Sequence, residues 1–180
     1  MSFLIDLSKS AIEKYLRNKS ILDVPKDTPK EFFKKSAGVF VSIHANNGEL
    51  RGCIGTIEPK KNCIAEEVIA NAISAATQDI RFAPISPAEI QNLVINVDVL
   101  GKPELILKNL ITVNQLPLAS LDPKKYGVIV KTQDGRTGLL LPDIEGVESP
   151  QEQIKICLSK AGAFSSEQFY LYRFSVIRYK

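Results

Sequence analysis

The segment Leu50-Arg51-Gly52-Cys53-Ile54-Gly55 places a thiol between two glycines inside an apolar, strand-like run. Glycines weaken a strand and mark a bulge or a place where another group comes close to the backbone. A cysteine between them is more accessible than cysteines usually are. Two kinds of chemistry follow. Cys53 is a nucleophile if a cation, Arg51 or protonated His44, lowers its pKa. Alternatively, Gly52 and Gly55 leave room for a partner's backbone or an RNA strand, and no bond is made or broken. His44 is the only histidine in the chain, so any imidazole mechanism must use it.

Whether these groups meet depends on the turn before them. Asn47-Gly48 is a strong hairpin signal. A two-residue loop pairs Asn46 with Glu49. It then sets His44 opposite Arg51, Ser42 opposite Cys53 and Phe40 opposite Gly55. These residues share one side of the hairpin, and Val39, Val41, Ile43, Gly52, Ile54 and Thr56 share the other. Cys53 is then diagonal to His44, at about 7–8 Å between backbones. A three-residue loop would move Arg51 and Cys53 to the valine side. The competing reading is an inert cysteine and a histidine at a strand end.

Asp79 and Arg81 follow the next helical segment. They read either as a polar clamp beside the Cys53 surface or as an ion pair that fixes their own loop. Arg51 suits a bidentate anion, or pairs with Glu49 or Glu58. Cys63 lies near a helix start and Cys157 on an apolar helix face, and both read as core. The Cys and His spacings do not form a metal knuckle. Neither a Walker loop nor a GxGxxG turn is present. No metal and no cofactor are expected.

The elements that position these residues are readable from periodicity. Leu4 to Asn18 has helical spacing. Residues 20–38 read as a loop that tacks Phe32 and Phe33 onto the core. Val39 to His44 and Leu50 to Ile57 form the hairpin. Asn62 to Gln78 is a helix with a broad, alanine-rich apolar stripe. Residues 79–92 are a connection with one helical turn. Leu93 to Leu100 alternates as a strand with Leu93, Ile95, Val97 and Val99 on one face. The pattern of 101–125 is undecided. Tyr126 to Lys131 and Thr137 to Leu141 flank an Asp134-Gly135 turn. Ser149-Pro150-Gln151-Glu152 is a capping box for a helix that ends at Gly162. Phe169 to Tyr179 is a last strand. The sum is an α+β fold, a mainly antiparallel sheet flanked by helices.

The chain has 180 residues, 44% hydrophobic and 24% charged. That is room for a single domain, 1–180, able to bury roughly 70% of its unfolded surface without disulfides. Net charge is +3, with basic ends around an acidic middle. There is no dense Lys/Arg run and no RRM-type signature, so only the two basic ends speak for nucleic acid. No apolar run approaches the roughly 20 residues of a membrane span, and no signal peptide is read at the start. Three cysteines without a CxxC point to a reduced, cytoplasmic protein.

The hexapeptide at 50–55 resembles the signature of the AMMECR family, called AmmeMemoRadiSam system protein A in bacteria and archaea. Gly38-Val39-Phe40-Val41, Glu66-Glu67-Val68, Ala75-Ala76, Asp79-x-Arg81-Phe82, Gly138 to Pro142 and Lys160-Ala161-Gly162 are similar to it as well. The resemblance spans residues 38–174. Residues 77–80 depart from it, reading Thr-Gln-Asp-Ile where an arginine and a proline are more usual. The resemblance implies an α+β domain in two unequal lobes with a second, smaller lobe. It also implies association with a Memo-like, dioxygenase-related protein and a radical SAM protein, in nucleic-acid or protein modification. Two functions are then in play. One is a cysteine-dependent enzyme with Cys53, His44 and Arg51 at its centre. The other is a non-catalytic binding or adaptor module for a protein or RNA partner, using Gly52, Gly55, Asp79 and Arg81.

Overall fold

A computed structural model describes residues 2–110, 120–164 and 167–180. They form an α+β fold with two four-stranded sheets. The chain divides into two units, Met1–Leu100 with Ile177–Lys180, and Gly101–Val176.

In the first unit, α1 (Phe3–Asn18) buries Leu4, Leu7, Ala11 and Ile12, the stripe expected from its spacing. It stops at Lys19, which takes the left-handed conformation and donates its N–H to Tyr15 O. The 20–38 segment contains a short helix, α2 (Lys30–Lys34). Phe32 is buried against Phe3 and Tyr179, whereas Phe33 is 58% exposed, so only one of the two rings joins the core.

The strands β1 (Val39–Ala45), β2 (Leu50–Gly55), β3 (Leu93–Leu100) and β8 (Val176–Tyr179) make the first sheet, in the order β2-β1-β3-β8. Both β2 and β3 run antiparallel to β1. Helix α3 (Ile64–Thr77) packs on the sheet through Ala65, Ala72, Ala75 and Ala76, whose small side chains allow a close approach. Val39, Val41, Ile43 and Val97 are fully buried beneath the helices. Each such side chain contributes roughly 1.5–3 kcal/mol by leaving water. Because strand side chains alternate, Phe40, Ser42, His44, Asn96 and Asp98 are left on the opposite face of this sheet.

In the second unit, β4 (Glu104–Leu110), β7 (Phe169–Phe174), β5 (Gly127–Thr132) and β6 (Thr137–Leu140) form a sheet in that order. Strand β4 lies in the stretch whose pattern is undecided, and residues 111–119 of that stretch are outside the described residues. Helix α4 (Pro150–Lys160) has the expected Ser149–Glu152 capping box. It ends with Gly162 at φ +61 and Ala163 N–H on Leu158 O. Its Ile154, Cys157 and Leu158 pack with Val128, Val130 and Leu171. The run from Phe169 to Tyr179 is two strands rather than one. Ser175 breaks it, and the two halves join different sheets.

Candidate functional site

The β1–β2 hairpin has a three-residue loop, Asn46-Asn47-Gly48. Gly48 N–H donates to Ala45 O, and Ala45 N–H to Glu49 O, each at 2.9 Å. Gly48 sits at φ +88, a conformation glycine adopts without strain. Alone, this loop would have turned Cys53 toward the core. One extra residue, Arg51, bulges out of β2 and undoes the shift. The pairs are therefore His44 with Leu50, Ile43 with Gly52, Ser42 with Cys53 and Phe40 with Gly55. The expected pairs at Cys53 and Gly55 form. The expected His44–Arg51 pair does not, because the bulge removes Arg51 from the ladder.

Arg51 is committed elsewhere. Its Nε donates to Glu89 at 3.0 Å, and its terminal nitrogens to the carbonyls of Ala83, at 2.6 Å, and Pro84, at 3.4 Å. Its partner is Glu89 rather than Glu49 or Glu58, and the guanidinium ties the 83–89 segment to β2. The two glycines are filled from within the chain. A Cβ at Gly52 would run into the backbone carbonyl of Ala75 on α3, and one at Gly55 into the Phe40 ring. The room expected for a partner at these positions is thus taken by α3 and Phe40.

Cys53 is held from three sides. Its N–H donates to Asp79 Oδ2 at 2.9 Å, its carbonyl accepts from Arg81 at 3.4 Å, and its Sγ lies 3.3 Å from Ser42 Oγ. Asp79 and Arg81 are themselves paired at 2.6 Å. They are both a clamp on Cys53 and a fixing pair for their loop. Asp79 is buried, and the Arg81 guanidinium, with the N–H groups of Cys53 and Arg81, holds its carboxyl far below the usual carboxylate range.

The electrostatics oppose a thiolate. Burial pushes the Cys53 thiol above its ordinary 9.0, and the Asp79 and Asp98 charges add to this. Ser42 and Arg81 pull the other way without overcoming it. Burial lowers His44 below its ordinary 6.5. Even at ordinary values, moving a proton from such a thiol to such an imidazole costs about 3 kcal/mol. Burial widens that gap. The resting groups are a neutral thiol and a neutral imidazole, whose buried Nδ1 has no hydrogen-bond partner among the described residues.

The register also assembles residues that the sequence reading does not nominate. Ser42 lies opposite Cys53 on one side and Asn96 on the other, so thiol, hydroxyl and carboxamide form one row across three strands. In the row on one side, Asp98 lies opposite Phe40 and is paired twice with Arg178 of β8, at 2.7 and 3.1 Å. In the row on the other side, His44 lies between Leu50 and Val94, two exposed apolar side chains. The signal was present in β3, where residues 94, 96 and 98 alternate with the core-facing ones. Cys63 and Cys157 are buried, and burial raises the Cys157 thiol to about 12. Cys53 is the one thiol that reaches solvent. Among the described residues, no group of three or more His, Cys, Asp and Glu could hold a metal ion, and no helix is long and apolar enough to cross a membrane.

The AMMECR1 family model matches residues 5–179. A Thermotoga maritima protein is 46% identical over 170 residues, covering 94% of this chain and 92% of its own length. Clostridium acetobutylicum protein CA_C1420 is 40% identical over 177 residues. That match covers 98% of this chain but only 35% of the longer relative. The crystal structure of uncharacterized protein PH0010 from Pyrococcus horikoshii is similar with a TM-score of 0.87 at 33% identity. It covers 98% of this chain and 88% of the other.

Proposed function

The chain belongs to the AMMECR1 family, and on that premise we propose that it is a binding module that recognises a polypeptide partner. The recognition surface is the polar face of the first sheet. The observation that carries this reading is the in-register row Cys53–Ser42–Asn96. It offers neutral donors and acceptors to another chain's amide groups. Leu50 and Val94 add apolar area beside it.

Two magnitudes favour recognition over catalysis. The thiol and imidazole are each shifted toward their neutral forms, so no nucleophile is prepared in advance. The arginines around the face are also neutralised, Arg51 by Glu89, Arg81 by Asp79 and Arg178 by Asp98. Phosphate backbones are held mainly by lysines and arginines free to replace counterions, so the face suits a protein better than RNA. The partners in this proposal are the Memo-like and radical SAM proteins of the AmmeMemoRadiSam system. Its setting is the cytoplasm, where three free cysteines stay reduced.

The second reading, a cysteine-dependent enzyme, has one observation of its own. Cys53 is a solvent-reaching thiol whose N–H, C=O and Sγ are all held, and nucleophilic catalysis needs such fixed geometry. One experiment separates the two. The candidate partners are captured with the wild-type chain, Cys53→Ser and Asn96→Leu. The binding reading expects capture by wild type and Cys53→Ser, and loss with Asn96→Leu. A Cys53→Ser chain that forms the complex yet abolishes the pathway's output would transfer the function to the enzyme reading.

A further inference from the structure

Beside the Cys53–Ser42–Asn96 row, the polar face of the first sheet carries a row of different chemistry. His44 of β1 lies directly opposite Leu50 of β2 and Val94 of β3, so the three side chains stand side by side on one face. Side chains opposite one another in this way are about 4.5–5.5 Å apart at Cβ. The two flanking residues are large and aliphatic, yet Leu50 is 37% and Val94 48% exposed. The imidazole between them is half-buried, and its Nδ1 has no hydrogen-bond partner among the described residues. The row is a flat ring between two branched aliphatic side chains. Such a floor takes a flat apolar group, by offset stacking on the imidazole and apolar contact on either side.

Charge complementarity narrows the occupant further. Arg51 is paired with Glu89, Arg81 with Asp79 and Arg178 with Asp98. Glu49, next to Leu50 in the chain, accepts from Asn47 in the hairpin loop. Burial keeps the imidazole neutral at pH 7. A group that fits this row is therefore uncharged. Two residues along a strand, roughly 6.5–7 Å, separate His44 from Ser42. One aromatic residue spans that gap between its ring and its flanking amides. We propose that the polypeptide partner presents an exposed aromatic residue to this face, its ring resting on Leu50, His44 and Val94 and its flanking amides meeting Ser42 and Asn96. The proposal rests on the binding reading above and names the residue class that the partner must carry. The docked ring covers the two exposed aliphatic side chains, and tryptophan and tyrosine are common anchors of protein interfaces.

The test is a proton NMR titration of the full chain with N-acetyl-phenylalaninamide, read at the imidazole C–H signals of His44, the only histidine. A ring stacked on the imidazole moves these signals upfield through its ring current. The expected result is a saturable upfield shift with this probe and none with N-acetyl-alaninamide, which has the amides without the ring. Val94→Ser and Leu50→Ala, both at exposed positions, each weaken the probe about fivefold. Asn96→Leu weakens it by about the same factor. Three results would overturn the proposal. They are the absence of a saturable shift, unchanged affinity in both Val94→Ser and Leu50→Ala, and tighter binding of adenosine, which would make the row a nucleobase platform. Partner capture separates this claim from the reading it rests on. Capture lost with Asn96→Leu but kept with Val94→Ser and Leu50→Ala overturns the aromatic anchor alone, and capture kept with all three overturns the polar row as well.

Discussion

Asp79 reaches from the loop after α3 to the edge strand β2 and accepts the Cys53 N–H at 2.9 Å. An edge strand leaves such groups unpaired. Here a buried carboxylate, neutralised by Arg81, closes the edge at the one residue whose thiol reaches solvent. The clamp makes the hexapeptide part of the fold's frame as well as of its polar face.

Removing the clamp should therefore cost stability. Asp79→Ala leaves the Cys53 N–H without its acceptor, a loss of about 1–3 kcal/mol, while the half-exposed Arg81 guanidinium turns to water. Asp79→Asn keeps an acceptor and loses only the charge, so a smaller loss, about 1 kcal/mol, is expected. The folded pKa of Asp79 lies below its ordinary 3.8. Its contribution is complete above that ordinary value and is lost as pH falls through the folded value. Urea unfolding of wild type and Asp79→Asn at neutral and acid pH checks this. The gap between them should shrink below about pH 4, and a gap that stays constant would contradict the assignment.

Gly48 and Gly52 should respond in the order of their burial, for two different reasons. Gly48 has open space but a φ of +88, so alanine there meets backbone strain of about 1 kcal/mol. Gly52 meets the α3 backbone itself, which no side-chain rotation relieves. Gly52→Ala should cost more than Gly48→Ala, about 1–3 kcal/mol. Denaturation midpoints compare them directly, and equal midpoints would mean that α3 does not press on β2.

His44 is the only imidazole, so its titration is a single resolved NMR curve. Burial lowers its folded pKa, so its midpoint should lie below 6.5. The neutral ring's contribution is complete above that unfolded value and is lost as pH falls below it. His44→Gln should flatten the stability profile between about pH 5 and pH 7. A midpoint above 6.5 would indicate an anionic partner at the ring.

Much of this was legible in the sequence, for identifiable reasons. Strict alternation in Val39–His44 and Leu93–Leu100 places the strands, and the alanine stripe of α3 places the helix that covers them. The Ser42–Cys53 pairing is right through two compensating features. The loop is one residue longer than Asn47-Gly48 suggests, and the Arg51 bulge takes that residue back. Neither shows in a side-chain pattern, because the loop is closed by backbone bonds among Ala45, Gly48 and Glu49, and Arg51's partners Glu89, Ala83 and Pro84 are distant in sequence. Asn96, Asp98 and Arg178 could not be joined to Cys53 without the order of strands β2, β1, β3 and β8. The last strand looked continuous since Ser175 does not interrupt its apolar character.

The central claim is that the Cys53 face is a neutral recognition surface, and the most direct test is the pH dependence of Cys53 alkylation in the native chain. Iodoacetamide labelling followed by peptide mass spectrometry resolves the three cysteines. Cys53 should label before the buried Cys63 and Cys157, slowly at pH 7, with a midpoint above 9.0. A midpoint near or below neutrality, with rapid labelling of Cys53 alone at pH 7, would show a stabilised thiolate and contradict this account.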